Sequence, residues 1–127
     1  AAYAFLRLAA ITGDAKLATH ADQILALLAR VAPSAATGFC NAISASLFAQ
    51  EGAMEIVIPG DNVALLATVR SQWLPNAVTV WGEPFDSSLW MGRETGFGYV
   101  CRNHECLLPA RTEQELRDRI ATSFSGE

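Results

Sequence analysis

Residues 54–81 constrain the fold more than any other part of this chain. Glu55-Ile56-Val57-Ile58 is a short, mostly β-branched run ended by Pro59-Gly60. Asp61 is placed to cap a helix whose inner face reads Val63, Leu66, Val69 and Trp73 or Leu74, and Pro75-Asn76 breaks that helix. Ala77-Val78-Thr79-Val80-Trp81 is a second run of strand character. Two neighbouring strands joined by a helix cannot close as a hairpin. They pair in parallel, with a right-handed crossover, and the remaining elements have to build around that unit.

The chain before this unit reads as helix. Ala1-Ala2-Tyr3-Ala4-Phe5-Leu6-Arg7-Leu8-Ala9-Ala10-Ile11 starts in mid-helix, without Met, and carries apolar side chains on nearly every face. Gly13 suits a left-handed helix stop and Asp14 the next N-cap, so a second helix folds back, with Leu17, Ala21, Ile24, Leu28 and Val31 in one stripe. Pro33-Ser34 opens a third helix, lined on one face by Phe39, Ile43 and Leu47 and ended by Gly52. Beyond the crossover unit, residues 82–96 read as an ordered loop, residues 97–101 as a third strand, and residues 106–108 as a short return strand. Thr112 and Glu115 form a capping box for a last helix with Leu116 and Ile120 on its inner face, and residues 123–127 read as a frayed end. The expected fold is mixed α/β: a helical hairpin plus third helix over residues 1–52, then a small, mostly parallel β-α-β-β(hairpin)-α unit over residues 53–127, the two parts packed together.

Composition narrows the function classes. At 127 residues the chain is long enough for one core, burying roughly two thirds of its unfolded surface. Half of it is hydrophobic (51%) and only 17% is charged, which excludes a disordered chain and leaves apolar surface to spare for a partner. The apolar runs are far shorter than the roughly 20 residues of a membrane span, so no membrane role is expected. The net charge of −4 comes without a basic stripe, because Arg111, Arg117 and Arg119 alternate with Glu113, Glu115 and Asp118; nucleic acid is therefore not an expected partner. Three cysteines, an odd number, argue against a secreted disulfide framework and for a reducing cytoplasm.

Few residues offer chemistry. The turn Gly60-Asp61-Asn62 follows a strand and opens a helix, where free backbone N–H groups can hold an anion; Asp61 competes with such an anion, and ordinary capping is the simpler reading. Cys101, His104 and Cys106 fall short of the four ligands of a structural zinc site, and neither a metal nor a cofactor is expected. Cys101 and Cys106 flank a four-residue tip and can face each other across a hairpin, as a disulfide or as two thiols. With no activating charge evident beside them, two reduced, mainly structural thiols are expected. The carboxylate pairs Glu83/Asp86 and Glu113/Glu115 read as solvated or helix-capping groups. Trp73, Trp81 and Trp90, with Phe85 and Phe97, read as core before they read as a pocket for a flat or sugar-like ligand. No catalytic constellation can be assembled from these residues.

The run Tyr99-Val100-Cys101, four residues, Cys106, two residues, Pro109, set before a last helix, resembles the C-terminal signature of the YyaL-like, spermatogenesis-associated thioredoxin-domain proteins; the Gly60 turn and Arg93 add to the likeness. The resemblance implies a parent with a thioredoxin-like domain, then an (α/α) toroid similar to sugar epimerases and six-hairpin glycosidases, then a small α/β region. On that reading residues 1–31 are one of the last toroid hairpins. The chain is then a non-catalytic C-terminal fragment whose partner is the rest of the parent, with self-association through residues 1–31 when that partner is missing. The alternative is an autonomous small-molecule or thiol redox module that uses the Gly60 turn or the Cys101/Cys106 hairpin.

Overall fold

Strand β1 (Met54–Pro59) runs through the middle of a four-stranded sheet. On one side of it lies β2 (Ala77–Gly82), on the other β3 (Tyr99–Arg102), and β4 (Glu105–Cys106) forms the far edge, in the order β2-β1-β3-β4. The computed structural model describes residues 1–103 and 105–124; His104 and the end of the expected frayed tail, 125–127, lie outside the described residues. Strands β1 and β2 are parallel, with Met54 opposite Ala77 and Pro59 opposite Gly82, and helix α4 (Val63–Arg70) connects them. The mixed α/β class and the parallel pair are as the sequence predicts. The unit as a whole is not mostly parallel. Strand β3 pairs antiparallel with both β1 and β4, because it arrives by a long loop rather than a second crossover helix and leaves by a tight turn.

Strand alternation gives the sheet two apolar faces. Met54, Ile56 and Ile58 point to one side and, with Val100, meet Leu65 and Val69 of α4 and Leu116 and Ile120 of α5 (Glu113–Phe124). Val57, Val80 and Tyr99 point to the other, against Leu89 and Trp90 of the 83–98 loop and Ile11 of α1 (Ala2–Thr12). Met54, Ile56, Val57 and Ile58 are fully buried, each worth roughly 1.5–3 kcal/mol of transfer free energy. A strand covered on both faces is expected to be continuously apolar, and β1 is, apart from Glu55.

Helices α1, α2 (Ala15–Val31) and α3 (Cys40–Glu51) form a layer beside the second face. The turn between the first two follows the predicted chemistry. Gly13 takes φ 75°, a left-handed conformation that costs a Cβ-bearing residue energy, and donates its N–H to the Ala9 carbonyl; the Asp14 carboxylate accepts from the Lys16 N–H at 2.8 Å. Elsewhere the helical faces differ from expectation. Short 3-10 turns at Ala32–Ser34 and Ala36–Phe39 precede α3, whose buried residues are Ala45 and Phe48, while Ile43 and Leu47 stay half exposed. The larger aromatic wins the inner position because Phe48 packs edge-on against Tyr3, ring centroids 5.1 Å apart. In α4 the buried set is Leu65, Thr68 and Val69, and Val63 and Trp73 face outward. The helix begins one residue later than the sequence reading has it and ends at Arg70, before Trp73. At the β3–β4 tip Asn103 adopts φ 51°, and the return strand spans 105–106 rather than 106–108.

Helix α5 starts with the predicted capping box. The Thr112 hydroxyl accepts from the Glu115 N–H, and the Glu115 carboxylate accepts from the Arg111 N–H at 2.7 Å. That backbone hydrogen bond, more than the neighbouring Arg119 and Arg111 charges, holds the Glu115 carboxyl below its ordinary value. A depressed folded-state pKa adds stability that is fully present above the ordinary carboxylate range and is lost as pH falls through the lowered value. Glu115→Gln is expected to lower the unfolding midpoint at neutral pH, and the gap to wild type is expected to close in acid. Urea unfolding followed by circular dichroism across that range checks it, and a gap independent of pH would contradict it.

Candidate thiol site at the β3–β4 hairpin

Register brings three chemically distinctive side chains into one row. Glu55 of β1 lies opposite Cys101 of β3, which lies opposite Cys106 of β4, and all three are on the face turned toward the α1–α2 turn. Cys101 and Cys106 are joined as a disulfide, with Cα atoms 4.0 Å apart. Antiparallel pairing across a two-residue return strand puts the sulfurs in bonding reach, which is the bridged alternative that the hairpin spacing left open beside two reduced thiols. The pair is asymmetric. Cys101 is buried, 2% exposed, whereas Cys106 is exposed at the sheet edge.

The charge that sequence reading did not find comes from the loop over residues 83–98. Arg93 extends from it across the Tyr99 ring, with its guanidinium carbon 4.7 Å from the ring centroid, and its Nη2 lies 3.1 Å from the Cys101 sulfur and 3.0 Å from the Cys106 sulfur. Each part of this placement is fixed by something else. Arg93 Nε donates to the Leu89 carbonyl, and the Tyr99 hydroxyl accepts from the Glu94 N–H at 2.9 Å. Ser87 caps the 3-10 turn Ser88–Trp90 and donates from its hydroxyl to the Ile11 carbonyl at the end of α1, at 2.6 Å. The guanidinium is therefore held by the loop and the sheet, and the loop is itself tied to the helical layer. A cation against sulfur favours thiolate over thiol, and it favours a thiolate as leaving group in thiol–disulfide exchange.

Beside the hairpin lies a groove of about 390 Å3. Its walls come from α1, the α1–α2 turn, the 83–98 loop and β1, and include Ala10, Gly13, Ala15 and Ser88; Glu55, Arg93 and Cys106 also line it. Cys101 does not reach it.

The other candidates are dispersed. Gly60 takes φ 76°, with Thr95 packed where a Cβ would extend, and its N–H donates to the Gly82 carbonyl; the Asn62 side chain accepts from the Leu65 N–H. The Gly60 N–H and the Leu65 N–H in the first turn of α4 thus serve the chain itself. The helix cap is Asn62, not Asp61, which is exposed. Glu113 accepts a hydrogen bond from Thr68, and Glu115 serves its helix cap. The tryptophans do not converge. Trp90 is core, Trp73 is 88% exposed, and Trp81 stacks under Arg70 at 5.1 Å on the opposite face of the sheet. Among the described residues no group of three or more His, Cys, Asp or Glu could hold a metal ion, and no helix is long and apolar enough to cross a membrane.

No family model, no curated protein and no solved structure matches this chain. The Asn62 cap gives a direct check on the Gly60 turn. Asn62→Ala is expected to cost about 1 kcal/mol in urea unfolding, a usual cap loss, and Asp61→Ala much less. The reverse order would restore Asp61 as the cap.

Proposed function

We propose that this chain is a thiol–disulfide redox element in which Cys101 and Cys106 cycle between bonded and reduced forms. One observation carries the reading: a single guanidinium, itself held by the Leu89 carbonyl and the Tyr99 ring, sits within 3.1 Å of both sulfurs. A purely structural bridge has no use for such a charge, whereas a pair that must open onto a buried thiolate needs one, because an isolated buried anion is strongly disfavoured. A cytoplasmic setting, where thiols are available as reductants, fits this cycle. On the YyaL-like resemblance, we read the element as part of the closing α/β region of a larger thioredoxin-domain protein.

Arg93→Leu is the test. The reduced wild type is expected to show thiolate ultraviolet absorbance at neutral pH that the variant lacks. Reduction of the oxidised variant by excess thiol is expected to slow about tenfold, the factor that roughly 1.4 kcal/mol of lost charge stabilisation gives. Arg93→Lys is expected to fall between, keeping the charge without its planar fork. Equal absorbance and equal rates in all three proteins would remove the redox reading.

A second reading, a non-catalytic region packed against a carbohydrate-handling toroid, is favoured by the outer surface of the helical layer. Leu8, Leu27 and Val31 are 40% exposed or more, and a groove of about 810 Å3 lined by Tyr3, Ile24, Leu28, Phe39 and Leu47 opens between the helices. The two readings are compatible, since the helical surface and the hairpin involve different residues. The isolated chain is expected to self-associate through residues 1–31, and Leu8→Lys with Leu27→Lys to make it monomeric. Light scattering that finds a wild-type monomer over a wide concentration range would count against this reading.

A further inference from the structure

Resting on the redox reading, the geometry points to a direction for the exchange and a size class for its partner: a low-molecular-weight thiol enters the groove beside the α1–α2 turn and attacks Cys106, and Cys101 leaves as a buried thiolate held by Arg93. Three observations combine. Cys106 lines the groove and Cys101 does not. Cys106 is exposed and Cys101 is 2% exposed, so an incoming nucleophile meets only the first sulfur. Arg93 contacts the sulfur that departs as closely as the one attacked, and it is the cation that offsets the cost of a thiolate forming inside the protein.

The electrons balance through two thiols. A thiolate RS⁻ forms a bond to Cys106 Sγ while the Cys101–Cys106 bond breaks, and its electron pair passes to Cys101 Sγ, which becomes the thiolate beside Arg93. A second RS⁻ attacks the R sulfur of the mixed disulfide and releases RSSR and the Cys106 thiolate. Two thiols are oxidised to one disulfide, the protein pair is reduced, and the two protons left by the thiols end on the cysteines or in solvent. The reverse sequence reduces a small disulfide.

The groove argues for a small partner. Its volume of about 390 Å3 falls at the lower end of the roughly 300–1,000 Å3 of small-molecule sites. Its walls rise from three separate segments at Ala10, Ala15 and Ser88, so the approach to Cys106 on this side is a slot between elements instead of an open convex tip. A single thiol on a short chain fits such a slot.

The experiment uses the full chain with Cys40→Ser, so that only the hairpin pair reacts. Cystine or the disulfide of a cysteine-containing tripeptide is added to the reduced Cys101→Ser and Cys106→Ser variants, and adducts are mapped by mass spectrometry. The expected result is a stoichiometric adduct on Cys106 and at least about tenfold less on Cys101. In the oxidised chain with both cysteines, Ala15→Trp and Ser88→Phe fill the groove from two different lining segments. Each is expected to slow reduction by free cysteine about tenfold while a circular dichroism spectrum like that of wild type shows the fold retained. Adducts of equal yield on both cysteines would overturn the direction. Filled-groove proteins that react with free cysteine at the wild-type rate, or a wild type that reacts faster with a reduced protein dithiol than with free cysteine, would overturn the size class. The Arg93→Leu measurement reports separately on whether the pair exchanges at all, so a failure here leaves that result readable.

Discussion

The molecule is arranged around a strand whose aliphatic side chains water does not reach. Strand β1 sends Met54, Ile56 and Ile58 to one face and Val57 to the other, and all four are fully buried. Neither face can be left open at a cost of roughly 1.5–3 kcal/mol per large aliphatic side chain, so both need a cover. Helices α4 and α5 supply one and the 83–98 loop with α1 the other. The only charged residue of the strand, Glu55, lies at the one point where the cover is a groove and not packed side chains. The same opening gives Cys106 a route to solvent, so the chemistry of the site is a consequence of incomplete coverage at one corner of the sheet.

Elements whose signal is local were legible in the sequence. The β-branched runs around Ile56 and Val80, the Gly13–Asp14 turn and the Thr112/Glu115 box each depend on residues within a few positions, and each formed as read. Those that depend on distant packing were not. Phe48 takes the inner side of α3 because Tyr3 waits there, 45 positions away in sequence, and the period of α3 alone gives no hint of it. The mixed sense of the sheet follows from how the chain returns after Trp90, which no propensity specifies.

The candidate site divides in the same way. The facing of Cys101 and Cys106 follows from hairpin spacing. The charge beside them does not, since Arg93 lies outside the hairpin in a loop without regular periodicity, and only the stacking on Tyr99 and the anchoring at Leu89 bring it to the sulfurs. A weak sign lay in the sequence: the loop's single arginine has Phe85, Trp90 and Phe97 for company, and Tyr99 on the neighbouring strand offers a further ring for its charge. That sign becomes informative only once the loop is known to fold over β3.

The hydrogen bond from Ser87 to the Ile11 carbonyl ties the loop that carries Arg93 to the end of the first helix, and Tyr3 donates likewise to Pro75 beside β2. The change in composition near Gly52 is therefore a seam in the sequence and not in the folded object. Cutting there would take Ile11 from the Val57–Val80–Tyr99 face and free the Ser87 end of the loop that positions the guanidinium. Loosening of the helical layer would then be felt at the sulfur atoms through the loop, which makes the first helix a mechanical input to the hairpin as well as a wall of its groove.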